Sequence, residues 1–286
     1  MAYKGIDVSK HNVISDWAKI KAEVDFVMIR AGLGTQTDEK FAAAINNAHK
    51  AGLAVGVYWF AYALNTKQAV AEADYCVTVL KSCKLELPVY YDFEYDTERY
   101  AGEHGVTYTP SLRTDIISAF CEKIKGHGYT PGVYTNVDYI ASRLIWDRLK
   151  LYKLWLASWV ADENTVITWS AANPAAVSTK WGTPQIWQIG KGNLAGVGDV
   201  DINYGYMPSL AAVDIPAPAV PTNAIPATVP TTPSMPSPAA MPDVSVWAKD
   251  SWAWAKANGV CDGTRPKDTL TREEAIAMLY RLHNIL

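Results

Sequence analysis

Cysteine is scarce in this chain and unpaired: Cys76, Cys83, Cys121 and Cys261 are the four in 286 residues, and no two stand in a C-x-x-C pair. That excludes the common redox and zinc-ribbon spacings and predicts reduced, mostly buried thiols. No run of about 18 apolar residues is present, so no membrane-spanning helix is expected. The opening MAYKGIDVSKHN has no apolar h-region, and folding in a cytoplasm is expected. Neither sign of charge dominates: the net charge is −3 with 19% charged residues. A strongly basic nucleic-acid binder is excluded, and so is a polybasic membrane anchor. The P-loop, G-x-G-x-x-G and H-E-x-x-H patterns are missing, which removes the usual nucleotide and zincin readings. No cofactor and no metal are expected, although acidic clusters can in general hold Mg²⁺ or Ca²⁺.

Phenylalanine is also rare, at 5 residues, yet there are 11 Trp and 16 Tyr. Aromatics with a polar handle pack cores and also make flat platforms for ligands such as sugars. Proline is concentrated. Pro216 to Pro242 holds nine prolines among small residues, a stretch that cannot bury a core and tends toward extended polyproline II. Residues 211–242 therefore read as a semi-rigid linker. It separates a domain over 1–210 from a small module over 243–286.

The first domain alternates strand-like and helix-like segments. KGIDVS, FVMIRAG, AVGVYWFA, LPVYYDFE, TPGVYTN, LWLASW, PQIWQIG and DVDIN are eight candidate strands. DEKFAAAINNAHKAG ends on Gly52, placed as a helix C′ residue. Residues 66–83 carry apolar residues at helical spacing. A further helix opens with Thr109 as N-cap and Pro110 at its first position. Later connections are short or irregular. The fold class is α/β: an irregular (β/α) barrel with eight strands and incomplete helices in its second half, plus a small C-terminal helical module.

In such barrels the functional residues gather at the C-terminal ends of the strands, and residues two apart on a strand share a face. Asp92 and Glu94 in YYDFEYD then point into the mouth together, with Asp96 beyond them in a solvated loop. Other strand ends repeat the pattern: Asp7, Arg30, Tyr62, Tyr134, Trp159, Gln188 and Asp201. Carboxylates brought together from three strands cost stability, so their convergence points to chemistry. Two neighbouring carboxyls can divide acid and base work, and glycoside hydrolysis uses such a pair.

The segments GIDVSKHN, YYDFE, GVYTN, LWLASW, IWQ and DVDIN, in that order and spacing, resemble the lysozymes of glycoside hydrolase family 25 across nearly all of residues 1–210. The resemblance implies a muramidase cleaving the β-1,4 bond between N-acetylmuramic acid and N-acetylglucosamine in peptidoglycan. It implies Glu94 as general acid/base and Asp92 as the residue that orients and stabilises the substrate's 2-acetamido group. Asp7 and Asp201 would complete the acidic cluster, with Asp199 the neighbouring alternative to Asp201. Tyr62, Tyr134, Trp159 and Gln188 are expected to bind substrate. Arg30 either does the same or holds an acid partner in the mouth. His11 is expected to bond the loop after the first strand or line the cleft. His49, His104, His127 and His283 read as surface or helix-end residues.

Residues 243–286 predict two helices. The first ends at Gly259; the second has a capping box at Thr271 and Glu274 and a stripe of Ala275, Met278, Leu279 and Leu282. DVSVWAKDSWAWAKANGVCDG followed by RPKDTLTREEAIAMLYR resembles a single S-layer homology repeat, with a shorter glycine loop. Basic and acidic residues balance there, so a specific pocket for a wall polymer, or self-association, is expected rather than binding by bulk charge. The chain as a whole then reads as a phage endolysin. It would be made in the host cytoplasm and act on a Gram-positive wall after release, with peptidoglycan and a wall polymer as partners, no nucleic acid or membrane, and homo-oligomerisation possible through the module. A wall amidase or peptidase, or a non-enzymatic wall-binding protein, are the alternatives.

Overall fold

A computed structural model of the chain describes residues 2–210. The linker, the C-terminal module, His283 and Cys261 lie outside the described residues. The strands are β1 (Tyr3–Val8), β2 (Phe26–Leu33), β3 (Gln36–Thr37), β4 (Ala54–Phe60), β5 (Val89–Asp92), β6 (Pro131–Asn136), β7 (Lys153–Ala157), β8 (Ile186–Leu194) and β9 (Gly198–Gly205). They pair in the order β1-β2-β4-β5-β6-β7-β8-β9, and β9 pairs back onto β1, which closes an eight-stranded barrel. The two-residue β3 hangs on the end of β2. All eight expected strands are present.

One strand runs the other way. β1, β2 and β4 through β8 are parallel around the ring, but β9 is antiparallel to both β8 and β1. Only the residues between Leu194 and Gly198 join β8 to β9, and a parallel return needs a crossover of a dozen residues or more. Gly196 (φ +95°) and Gly198 (φ +79°) supply the left-handed backbone that this tight reversal requires. The eighth strand thus enters the sheet from the mouth.

The helices sit outside the sheet. They are α1 (Trp17–Glu23), α2 (Phe41–Lys50), α3 (Thr66–Leu80), α4 (Tyr95–Glu103) and α5 (Pro110–Gly126). Each begins or ends for a local reason. The Asp16 carboxylate accepts from the Ala18 and Lys19 amides at 3.0 and 3.2 Å and caps α1. Thr109 caps α5 through the Leu112 amide at 3.1 Å, with Pro110 at its first position, and Gly52 takes φ +80° just past α2. After β6 only a π turn (Tyr139–Arg143) and 3-10 turns connect the strands, as the irregular second half predicted. α4 was not expected. Asp96 lies in its first turn rather than in a loop, exposed and paired with Arg99 at 3.3 Å. No helix among the described residues is long and apolar enough to cross a membrane.

Side chains alternate between two apolar layers, as the period of two requires. Outward residues such as Val27, Ile29, Val57, Tyr91 and Val133 meet the helices. Inward residues Phe26, Met28, Leu87, Tyr90, Trp155 and Ile186 plug the barrel's lower interior. Gly132 makes that plug possible, because a Cβ there would lie 2.4 Å from the Tyr90 ring. Cys76 and Cys121 are buried, Cys83 is half-buried, and all three are free.

Candidate active site

The same alternation carries each strand from apolar plug to polar mouth. Two residues on from Met28 comes Arg30; from Tyr90, Asp92; from Gly132, Tyr134; from Ile186, Gln188; from Gly5, Asp7. β9 contributes from the opposite direction. Asp201 lies directly across from Asp7 in the β1–β9 register, and Asn203 across from Gly5. Sequence reasoning placed Asp201 in the mouth as if on a parallel strand; it arrives there near the start of a reversed one. Asp199 lies farther out on the β8–β9 hairpin, exposed and bonded to Asn193 Nδ2 at 2.7 Å. The geometry therefore favours Asp201 over its neighbour.

Gln188 organises this mouth. Its Nε2 donates to Asp7 Oδ2 at 3.0 Å and to Asp201 Oδ2 at 3.4 Å. Its Oε1 accepts from Tyr134 Oη at 3.0 Å and from Trp159 Nε1 at 2.9 Å. Gln188, Tyr134 and Trp159 thus spend their polar atoms on one another and on the acids, leaving the half-buried ring faces of Tyr134 and Trp159. Asn203 Nδ2 adds a second donor to Asp7 Oδ2 at 2.8 Å, while its Oδ1 accepts from Trp155 Nε1 at 2.9 Å.

Asp92 ends β5, opposite Phe60 of β4 and Tyr134 of β6. It is 5% exposed, and its buried Oδ1 has no hydrogen-bond partner among the described residues. Phe93 turns into the outer core with no exposure, which returns Glu94 to the mouth. Glu94 precedes the first turn of α4. Its amide donates to the hydroxyl of fully buried Thr97 at 3.4 Å, which fixes the backbone that carries the carboxyl.

Crowding and burial act on all four acids in the same direction. Burial, then Asp96 and Asp201, push Glu94 up to about 7. Burial raises Asp201 to about 6 against the pull of Lys191. Asp92 is raised well above the usual carboxylate range by burial, Glu94 and Asp7, with Arg30 opposing. Asp7 is raised likewise by burial and Asp201, although its bonds to Asn203 and Gln188 favour the charged form. A site that holds protons near neutrality on one rim can donate one to a leaving group.

Arg30 does hold an acid. Its Nε lies 2.8 Å from Asp38 Oδ2, and Asp38 is itself fixed by the Lys10 and Lys40 amides at 3.0 Å each. The buried Arg30 Nη2 has no partner among the described residues. It is the second such polar atom at this mouth, with Asp92 Oδ1. Tyr62 stands half-buried just past β4, its ring 5.3 Å from that of Phe60 and 4.4 Å from that of Tyr100. His11 is exposed, and its amide donates to Ser9 Oγ at 3.3 Å in the loop after β1. His49 is half-buried against Glu86 at 3.1 Å near the end of α2, while His104 and His127 follow the ends of α4 and α5. Among the described residues, no group of three or more His, Cys, Asp or Glu side chains has the geometry of a metal site.

Four residues of this region escaped the sequence reading. Asp38 and Tyr100 join it through folding alone; Asn203, two past Asp201, and Tyr58, two past Gly56 and paired with Arg30 across β2–β4, carried the strand-face signal.

The chain is similar to known proteins. A 74-residue stretch is 39% identical to Lysozyme M1 of Streptomyces globisporus, covering 25% of each chain. The modular autolysin LytC of Streptococcus pneumoniae, solved with a synthetic peptidoglycan ligand, superposes with a TM-score of 0.58 at 25% identity over 72% of this chain and 47% of that one. This chain therefore spans about half of LytC. The catalytic domain of endolysin ply40, from bacteriophage P40 of Listeria monocytogenes, has the same fold, with a TM-score of 0.58 at 20% identity over 72% of this chain and 94% of that one. Residues 6–196, well over half of the sequence, match glycosyl hydrolases family 25, and the chain belongs to that family.

Proposed function

We propose that residues 1–210 form a muramidase that hydrolyses the β-1,4 bond between N-acetylmuramic acid and N-acetylglucosamine in peptidoglycan. The observation that carries this reading is Glu94. Its carboxyl, held at about 7, stands at the barrel mouth two residues from Asp92 in a chain of this glycosidase family. Glu94 is the general acid and then the base. Asp92, with an unspent oxygen in the mouth, receives the N–H of the substrate's 2-acetamido group. Asp7 and Asp201 supply the negative field that favours an oxocarbenium-like transition state. Gln188 keeps those two acids in place. Arg30 Nη2 and the faces of Tyr62, Tyr134 and Trp159 hold the sugars. The peptidoglycan ligand of LytC supports the same substrate class here. The test is mass spectrometry of muropeptides from digested Gram-positive walls. A muramidase releases reducing N-acetylmuramic acid ends; cut peptides or intact glycan would each overturn the reading.

The whole chain is then a modular endolysin. The S-layer homology-like module over 243–286 tethers it to a wall polymer or to a second copy across the proline-rich linker. The endolysin name of the ply40 relative supports release by a phage as the setting. A chain ending near Val213 is expected to fold and to cut solubilised glycan at the full-length rate. It should bind whole cells less well, because the avidity of the second module is gone. Sedimentation with intact cells and reducing-end release from soluble glycan measure the two properties separately. Unchanged cell binding would leave the module without an anchoring role.

A further inference from the structure

α3 carries a buried carboxylate that the proposed reaction does not use. Glu72 is 3% exposed and lies on the same helical stripe as Ala69, Ala73, Cys76 and Leu80. Its Oε2 accepts from Tyr91 Oη on β5 at 2.7 Å. Its Oε1 accepts from the backbone N–H of Tyr62 at 3.0 Å. No cation pairs with it among the described residues. Such a group costs stability unless both oxygens are bonded, as they are here. An apolar residue would fill this site with less penalty, so the carboxylate does something an apolar side chain cannot.

What it holds is the cleft wall. Past β4 the backbone of 61–64 is tied at every residue by a different group. Ala61 N–H donates to Asp92 O at 2.9 Å, and Leu64 N–H donates to Gln68 Oε1 at 2.6 Å. Tyr108 Oη donates to Ala63 O at 2.7 Å. Glu72 holds Tyr62, the one residue of the four whose side chain turns toward the mouth. The Tyr62 ring stands on Tyr100, which α4 carries two turns beyond Glu94. We propose that Glu72 is a positioning residue for substrate binding, which sets the height and tilt of the Tyr62 ring, which in turn packs on Tyr100 in the second half of α4. This rests on the muramidase reading, since it names the sugar-binding wall of that same mouth.

Protonation bears on the same clamp. Burial pushes Glu72 up to about 7, against the two bonds that favour its charged form. The titratable groups that face it are Tyr91 from β5, Cys76 from its own helix and Tyr108 from the segment before α5. All three are neutral at pH 7, so none supplies a counter-charge.

Glu72→Ala removes the clamp, and Glu72→Gln keeps it: the amide oxygen accepts from Tyr62 N–H while the NH₂ donates to Tyr91 Oη. With uncrosslinked soluble glycan as substrate, Glu72→Ala is expected to raise KM about 3–10-fold, with kcat within about 2-fold, and Glu72→Gln to restore KM. Tyr62→Ala should raise KM on its own, and adding Glu72→Ala to it should cost nothing more, the non-additivity of two residues acting as one. Fully additive effects, or an unchanged KM in Glu72→Ala, overturn the proposal. Should Glu72→Ala not fold, Tyr91→Phe decides. It removes one bond to Glu72 but keeps the ring stacked on Phe120 at 3.9 Å. Faster amide exchange at Tyr62 with a raised KM supports the proposal, and wild-type values of both overturn it. A wild-type protein that releases no reducing muramic acid ends would sink the muramidase reading instead. The exchange at Tyr62 would still report whether the clamp exists.

Discussion

Glu94→Gln is expected to lower kcat/KM on soluble glycan about 10²–10⁴-fold, the usual range for removing a general acid. The substitution keeps the shape of the side chain and the backbone bond to Thr97. Two pH measurements sharpen the test. In the wild-type protein the reactive form is the protonated one, so activity should fall as pH rises through about 7, where Glu94 ionises. Stability follows pH in the same direction. A carboxyl raised from 4.5 to about 7 on folding means that the folded state binds more protons than the unfolded one between those values. Its contribution is therefore fully present below about 4.5 and lost as pH rises through about 7. Asp201, raised to about 6, adds to the same slope. Glutamine cannot ionise, so Glu94→Gln should melt higher than wild type at pH 8, by an amount on the order of 1 kcal/mol, and no higher at pH 4. Near-normal hydrolysis by a folded Glu94→Gln protein would remove Glu94 from the mechanism. A lower melt at pH 8 would mean that the carboxyl is not held against its own charge.

Glycan stripped of the N-acetyl group on the cleaved sugar is expected to be hydrolysed about 10²-fold more slowly, or worse. Asp92 and Glu94 reach the mouth from one strand end and so approach the substrate from one side. A two-carboxylate retaining enzyme needs its nucleophile on the opposite face, about 5–5.5 Å from the acid. On the far side of the ring stand Asp7 and Asp201, but Asp7 is tied to Gln188 and Asn203 and shares Gln188 with Asp201. The free Oδ1 of Asp92 suits a different division of labour. The acetamido oxygen of the substrate attacks the anomeric carbon, Asp92 holds the amide N–H, and Glu94 protonates the leaving oxygen. An attacking group already attached to the sugar carries a high effective concentration, and its removal forfeits that. The first product should keep its anomeric configuration. Proton NMR at early times reads it directly, and initial inversion would exclude participation by the acetamido group.

Much of this was legible because buried parallel strands write themselves as short apolar runs. FVMIRAG and AVGVYWFA could be strands of a covered sheet and little else. The mouth was legible for a related reason: a polar residue closing such a run on the inward face has one place to go. The reversal of β9 left no trace in periodicity. It did leave one in spacing, since LAGVGD is too short for a crossover and has glycines where the backbone turns left-handed. α4 was missed because YDTERYAGE is short and polar, held by tertiary contacts such as Arg113 to Glu98 at 2.7 Å rather than by an apolar stripe. Glu72 was visible as a carboxylate on the apolar stripe of α3, although its partners Tyr91 and Tyr62 were not. Asp38, eight residues past Arg30, meets it only because β2 turns back through β3.

The reversed last strand has a kinetic meaning as well. Tyr3 pairs with Gly205 and Asp7 with Asp201, so the ring is sealed between the two ends of the domain. This is the contact of longest sequence separation in the barrel, and its loop entropy must be met before any of its bonds form. A ribosome must therefore release nearly the whole domain before the seam can form. Asp7 and Asp201 lie on either side of that seam, so no shorter nascent chain holds an assembled acidic cluster. Their mutual repulsion falls on the closing step itself, and the acidic mouth is in this sense the last part of the domain to exist.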